Sequence, residues 1–319
     1  MRVYHVPATG EPPRLGEIPR PTPAAGEILV RIAACGLNFA DLLMIEGKYQ
    51  DTPEPPFTLG LELSGTVAAL GDGVAGPAPG TRVAVFGGQG GLAEYGCFPA
   101  DRVIPLPDGA GLDEAAALQI AYGTSHVALA HKARLAPGET LLVLGAAGGV
   151  GLTAVEIGKL MGARVIACAR GADKLAIAAR AGADHLIDSD TDDIRDVVKA
   201  LGGADVVYDP VGGDQFRAAL RACRPEARML VIGFASGDVP QIPANHLLVK
   251  NVDVLGFYWG GYLKFRPEVV TQSLATLFAW LAEGRIAPHI SARLPLDRAA
   301  EGLEMLRART STGKVIIQP

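Results

Sequence analysis

Residues 139–170 read ETLLVLGAAGGVGLTAVEIGKLMGARVIACAR, and they constrain the fold more tightly than any other stretch of the chain. Leu141 to Leu144 is a short apolar run, the pattern of a parallel strand buried on both faces. A glycine-rich turn follows at once: Gly145, Ala146, Ala147, Gly148, Gly149, Val150, Gly151. Val150, Ala154, Ile157 and Met161 then recur at helical spacing, so the turn opens a helix that Gly162 ends. Arg164 to Ala169 reads as a second strand. Strand, glycine turn, helix and strand within about thirty residues make the βαβ unit that binds dinucleotides.

The residue types in the turn suit that chemistry. At Gly148 no side chain stands between the backbone and a pyrophosphate. Gly151 lets the helix pack close to the strand, and the helix start offers free N–H groups and a partial positive charge to phosphate. Ala147, Gly148, Gly149, Val150 and Gly151 are therefore the expected cofactor cradle. One departure from the G-x-G-x-x-G fingerprint stands out: its first glycine is Ala146 here, with Gly145 just before it. A glycine pattern alone would equally fit a purely structural turn; the flanking strand and helix favour the cradle.

The end of the second strand selects the cofactor. A site for NAD usually carries Asp or Glu there, about 20 residues past the turn, to bind the ribose hydroxyls. This chain has Ala169-Arg170-Gly171, with Lys174 one helical turn on. A carboxylate would repel a 2′-phosphate, whereas Arg170 and Lys174 attract it. The expectation is NADPH.

Around this unit the chain changes character. Up to about residue 110, short β-rich runs such as Glu27–Ile32 and Thr81–Phe86 alternate with Pro/Gly turns, as in a barrel-like β domain. One helix is expected from Asn38 or Phe39 to Glu46, stopped by Gly47. The apolar, alanine-rich stretch from Asp113 to about Leu129 reads as helices leading onward. Beyond Glu139 strands and helices alternate: helix 173–181, strand 185–187, helix 194–201, strand 206–208, helix 216–223, strand 229–232, and a sixth strand at 252–255. That order predicts a doubly wound parallel sheet. Helices follow at 270–282 and 299–308, and Lys314–Ile317 is a last strand expected to return to the first domain.

At 319 residues the chain has room for two domains with real cores, and 49% hydrophobic with 20% charged residues is ordinary globular composition. The net charge of −5 argues against nucleic acid as the main partner. The longest apolar runs are strand-sized, and the first residues carry Pro and Glu where a signal peptide is apolar, so no membrane role and a cytoplasmic location are expected. Cys35, Cys97, Cys168 and Cys223 lie far apart, which favours neither a disulfide framework nor a metal knuckle. Cys168 reads as a small buried hydrophobe. His126 and His131 are five apart, off the spacing that stacks two ligands on one helix face. No metal site is predicted.

Taken together, LLVLGAAGGVG, GLNFADLLMIEGKY, GLELSGTV, GGLAEY, VVYDPVGG and TGKVII resemble the zinc-independent quinone oxidoreductases, relatives of zeta-crystallin in the medium-chain dehydrogenase/reductase superfamily. The similarity spans essentially the whole chain, with the motifs in the family's order. It implies an α/β fold: a Rossmann domain, here residues 125–258, inserted in a GroES-like catalytic domain built from residues 1–124 and 259–319. Zinc-dependent members place a Cys ligand where this chain has Asn38 and a His where it has Leu61 in Gly60-Leu61-Glu62. The resemblance puts Asn38, Asp41 and Tyr49 at the catalytic site, with the Asn38 amide donating to the acceptor oxygen and Asp41 either near the chemistry or bracing a helix. The family's usual tyrosine five residues after the Asn is Leu43 here. Thr124, Phe257, Tyr258 and Lys314 are implied on the nicotinamide side of the cofactor.

The implied activity is NADPH-dependent hydride transfer to a quinone. An enone or acryloyl-type thioester reductase uses the same chemistry, and a non-catalytic NADPH-binding protein is the reading from another class. A homodimer is expected through the edge strand at residues 251–258, as in the family.

Overall fold

In the computed structural model, which describes residues 1–319, the chain leaves its first unit once and later returns to it. Unit 1 comprises Met1–Ile120 and Thr276–Pro319; unit 2 is Ala121–Ala275. The segment after residue 258, up to Ala275, belongs to unit 2. There the space a side chain would need at Gly123 is filled by the indole of Trp259, Tyr262 packs on Phe257, and His126 Nδ1 lies 2.8 Å from Ser273 Oγ.

Unit 1 begins with β1 (Arg2–Val6), β2 (Arg14–Glu17), β3 (Glu27–Gly36), α1 (Phe39–Ile45), β4 (Phe57–Thr58), β5 (Glu62–Leu70), β6 (Arg82–Phe86), β7 (Tyr95–Pro99), β8 (Val103–Pro105) and α2 (Leu112–Ala116). β2-β1-β4 form a small sheet, while β3, β5, β6 and β8 pair in sequence within a larger, mostly antiparallel one, with β7 also on β3. Ile28, Val30, Leu63, Val67, Val83 and Val85 are all buried in its core, each contributing about 1.5–3 kcal/mol by leaving water. α1 starts at Phe39 with Asn38 as its N-cap, and the chain turns away at Gly47, which takes φ +67°.

α3 (Gln119–His126) carries the chain from unit 1 into unit 2 and runs into a π-helical turn, Val127–Lys132. Then come β9 (Thr140–Val143), α4 (Gly149–Leu160), β10 (Arg164–Ala169), α5 (Ala172–Arg180), β11 (His185–Asp188), α6 (Ile194–Ala200), β12 (Ala204–Asp209), α7 (Gly213–Ala222), β13 (Cys223–Val231), α8 (Ala244–Lys250), β14 (Asp253–Gly256) and α9 (Trp259–Phe265). The six strands are parallel in the order β11-β10-β9-β12-β13-β14. This is the expected doubly wound sheet, and its order reverses between β9 and β12. Every residue of β9 is buried, as a central parallel strand requires. The short helices α8 and α9 lack a long periodic stretch, and the sequence pattern did not reveal them.

The chain returns through α10 (Pro267–Ala282), β15 (Ile290–Pro295), α11 (Ala299–Arg307) and β16 (Lys314–Gln318). β16 pairs antiparallel with β3, Ile316 opposite Gly36 and Ile317 opposite Cys35. The last strand therefore does close the first unit's sheet, and it brings Lys314 beside the start of α1. No helix is long and apolar enough to cross a membrane.

Candidate functional site

In unit 1 the chain builds one buried polar cluster. The Leu37 N–H donates to Val315 O at 2.9 Å, which locks the end of β3 to β16. Lys314 then points inward. Its Nζ donates to Leu37 O, to Asn38 Oδ1 and to Glu62 Oε1, each at 2.7 Å. Asn38 Nδ2 donates to Glu62 Oε1 at 2.9 Å and to Gly36 O at 3.1 Å, and Glu62 Oε2 accepts from the Ile120 N–H at 2.8 Å. Glu62 is fully buried and Lys314 nearly so. An ammonium with three acceptors and a carboxylate with donors on both oxygens is the form in which an ion pair survives burial.

This geometry shows how three of the residues implied for the site are held within unit 1. Both N–H bonds of the Asn38 amide are already spent, and a flipped amide would set its oxygen against Glu62 and its NH2 against Lys314. All three protons of Lys314 are likewise committed within unit 1, one of them to Asn38 Oδ1. Asp41, with no exposed surface, accepts the Asn38 N–H at 2.8 Å and the Gly60 N–H at 3.2 Å; it is the return half of a capping box. Burial pushes its carboxyl up to about 7, against the pull of those two N–H groups. Tyr49 is half-buried against the unit 1 core.

No three His, Cys, Asp or Glu side chains converge to hold a metal ion. Leu61 is an apolar core residue, and His126 and His131 are engaged by Ser273 and by the ring of Tyr262. The four cysteines are unpaired, and burial pushes the Cys168 thiol up to about 12.

In unit 2 the glycine turn sits where β9 and β12 diverge. Gly145 takes φ +59°, so the left-handed turn residue stands one place before Ala146, which is buried and donates its N–H to Cys168 O at 2.9 Å. A Cβ on Gly151 would collide with the Gly145 carbonyl oxygen; one on Gly148 would meet nothing closer than 3.4 Å. Gly151 is thus required by the helix–strand packing, and Gly148 is exposed space kept open. Gly148 is the N-cap of α4, a helix of 12 residues with no acid in its first turn. An open glycine at an unopposed helix start fits a pyrophosphate.

Beside it lies a second turn that sequence reasoning did not single out as part of the site. Asp209, at the end of β12, accepts the N–H groups of Val211 at 2.7 Å and Gly212 at 2.9 Å, and burial pushes its carboxyl up to about 6. Val211 and Pro210 pack over Gly145. The signal was the VVYDPVGG run itself, in which an Asp before Pro and two glycines marks a turn closed by a side chain.

At the end of β10, Arg170 stands where expected, exposed, with its Nε 3.3 Å from Asp190 Oδ1. Asp188 accepts the Gly171 N–H at 3.0 Å, and Lys174 lies half-buried in the first turn of α5. A surface pair such as Arg170–Asp190 is worth about 0–1 kcal/mol, less than the roughly 1.5–3 kcal/mol of a charge-assisted bond to phosphate. Thr124 and Phe257 are both buried within this unit, and Tyr258 caps α9.

A barrel-like unit with a buried charged cluster and a doubly wound sheet with a glycine cradle define a two-unit dehydrogenase/reductase. The family models agree: residues 24–108 match the alcohol dehydrogenase GroES-like domain and residues 149–279 the zinc-binding dehydrogenase family. The chain is 41% identical to the quinone oxidoreductase-like protein 2 homolog of Nematostella vectensis, over 91% of this chain and 81% of that one. Among solved structures it resembles the quinone oxidoreductase of Thermus thermophilus, also determined in complex with NADPH, with 32% identity, a TM-score of 0.88 and full coverage of both chains. An NAD-dependent alcohol dehydrogenase is as similar in fold, with 29% identity, a TM-score of 0.91 and full coverage of both chains. The chain belongs to the medium-chain dehydrogenase/reductase superfamily, among its quinone oxidoreductase-like proteins.

Proposed function

We propose that this chain is an NADPH-dependent reductase of quinones. The observation that carries the cofactor choice is Arg170 at the end of β10. The fold alone does not decide it, since NADPH- and NAD-dependent relatives share the fold, but a cation at that position does discriminate. The Thermus relative's complex with NADPH supports the same reading.

When bound, NADPH supplies a hydride to the acceptor. The residues of the α4 start hold the pyrophosphate through their free N–H groups, with Gly148 leaving room for it. Arg170, now paired with Asp190, would hold the 2′-phosphate, and Lys174 would add a second positive charge. Thr124, Phe257 and Tyr258 serve the nicotinamide half. Within unit 1, Tyr49 is the candidate hydroxyl for the substrate, while Asn38, Asp41 and Lys314 hold the start of α1 in place.

Quinones suit this donor set better than simple alcohols. A Lewis acid at Leu61 would have no ligand there, and Lys314 Nζ already stands between Asn38 Oδ1 and Glu62 Oε1. Hydride added to a quinone leaves a charge spread toward oxygen, which a hydrogen-bond donor suffices to stabilise. An enone qualifies as a second acceptor class on the same ground.

The test of the cofactor reading is a titration of wild type and Arg170→Ala with NADPH and NADH. The substitution should raise the Kd for NADPH at least about tenfold and leave that for NADH nearly unchanged. Equal losses for both would make Arg170 structural. Equal affinities in the wild type would overturn the NADPH assignment.

A further inference from the structure

Unit 2 contains a buried line of hydroxyls that none of the roles above uses. Ser125 lies on α3, one residue after Thr124. Its Oγ is 2.8 Å from Thr153 Oγ1, 3.0 Å from Tyr208 OH and 2.9 Å from Val150 O. Thr153 Oγ1 is 3.0 Å from both Ala121 O and Val150 O. Ser125 and Tyr208 have no exposed surface and Thr153 very little.

The protons can be assigned by elimination. Tyr208 has only Ser125 as a partner, so if Ser125 donated to it the phenol proton would be left buried and unmet. Tyr208 therefore donates to Ser125. Burial raises the phenol's pKa still further above its usual range, so this donor is present at every working pH. Ser125 passes its own proton to Thr153 Oγ1, and Thr153 gives its proton to Ala121 O, so each hydroxyl donates once and the 2.8 Å Ser125–Thr153 contact holds a proton.

Three parts of the cofactor-binding unit meet at Ser125: α3 beside Thr124, the first turn of α4 beside Gly148–Gly151, and β12 just before the Asp209 turn. Phe at 208 and Val at 153 would fill the same space. Replacing buried hydrogen-bonding groups by apolar ones of the same shape is often nearly neutral for stability, so stability alone does not call for three hydroxyls here. A directional network, unlike an apolar contact, fixes three elements in one register.

We propose that Tyr208, Ser125 and Thr153 are positioning residues for the dinucleotide, setting the α4 start and the Thr124 segment against β12. The proposal rests on the NADPH reading, so the experiment first measures NADPH binding by the wild-type chain, by fluorescence titration. Tyr208→Phe and Thr153→Val should each weaken NADPH about fivefold, the value of one displaced hydrogen bond. They should weaken NADH by the same factor, because the cradle, unlike Arg170, serves both cofactors. Thr153→Ser keeps the hydroxyl and should bind within about twofold of wild type. Thermal unfolding of the cofactor-free variants is followed in parallel. Unchanged Kd values with a lowered Tm, or Phe and Val variants that fail to fold while Thr153→Ser folds, would assign the hydroxyls to stability and overturn the proposal. A wild-type chain that binds no NADPH would remove the cofactor reading and this proposal with it.

Discussion

Asp41 is a fully buried carboxyl in the first turn of α1. It is held by two backbone N–H groups and pushed up to about 7. The folded state therefore keeps a proton on Asp41 that the unfolded state has lost above its ordinary range near 4. The stability this contributes is complete below about pH 4 and is lost as the pH rises toward 7. Between about pH 5 and pH 8 the wild type should lose roughly 2–3 kcal/mol relative to Asp41→Asn, measured by urea unfolding at each pH. A difference between the two proteins that stays flat across that range would contradict the assigned protonation.

At the scale of elements, the glycine turn separates two uses of the same residue type. Gly151→Ala drives a methyl group into the Gly145 carbonyl oxygen, so it should destabilise the chain and weaken the cofactor together. Gly148→Ala meets nothing closer than 3.4 Å inside the protein. Its Tm should stay within a few degrees of wild type while NADPH affinity falls at least about tenfold, because the methyl group occupies the space of the pyrophosphate. Titration with NADPH beside thermal unfolding of both variants checks this; a Gly148→Ala chain that binds normally would take the cradle away from this turn.

These elements also show what the sequence could convey. β9, the glycine turn, α4 and β10 were legible because strand length, helical period and glycine placement are local signals. Arg170 was legible because it is a fixed distance from the turn. The buried cluster was not. Lys314 and Glu62 stand 252 positions apart, and only the pairing of β16 with β3 joins them. Asn38 was readable as a helix start, yet which of its N–H groups remain available depends on that same pairing. Asp209 lay in plain view in VVYDPVGG, but its partners are backbone groups of a turn whose closure the local pattern does not specify.

For the whole molecule, β14 pairs with β13 alone and leaves an open parallel edge. Leu248 and Val249, on the helix just before it, are 78% and 76% exposed. An open edge and exposed apolar side chains together favour pairing with a second copy. A homodimer at micromolar concentration is predicted in sedimentation or light scattering, and Leu248→Glu with Val249→Glu should shift it toward monomer. A wild-type monomer under those conditions would count against the assembly. The central claim, NADPH-dependent and metal-independent reduction of quinones, is tested most directly by following NADPH consumption by exhaustively chelated protein across a panel of quinones and enones. Turnover with quinones is predicted, unaffected by chelation and much slower when NADH replaces NADPH. No turnover with any acceptor, or turnover lost on chelation and restored by zinc, would contradict it.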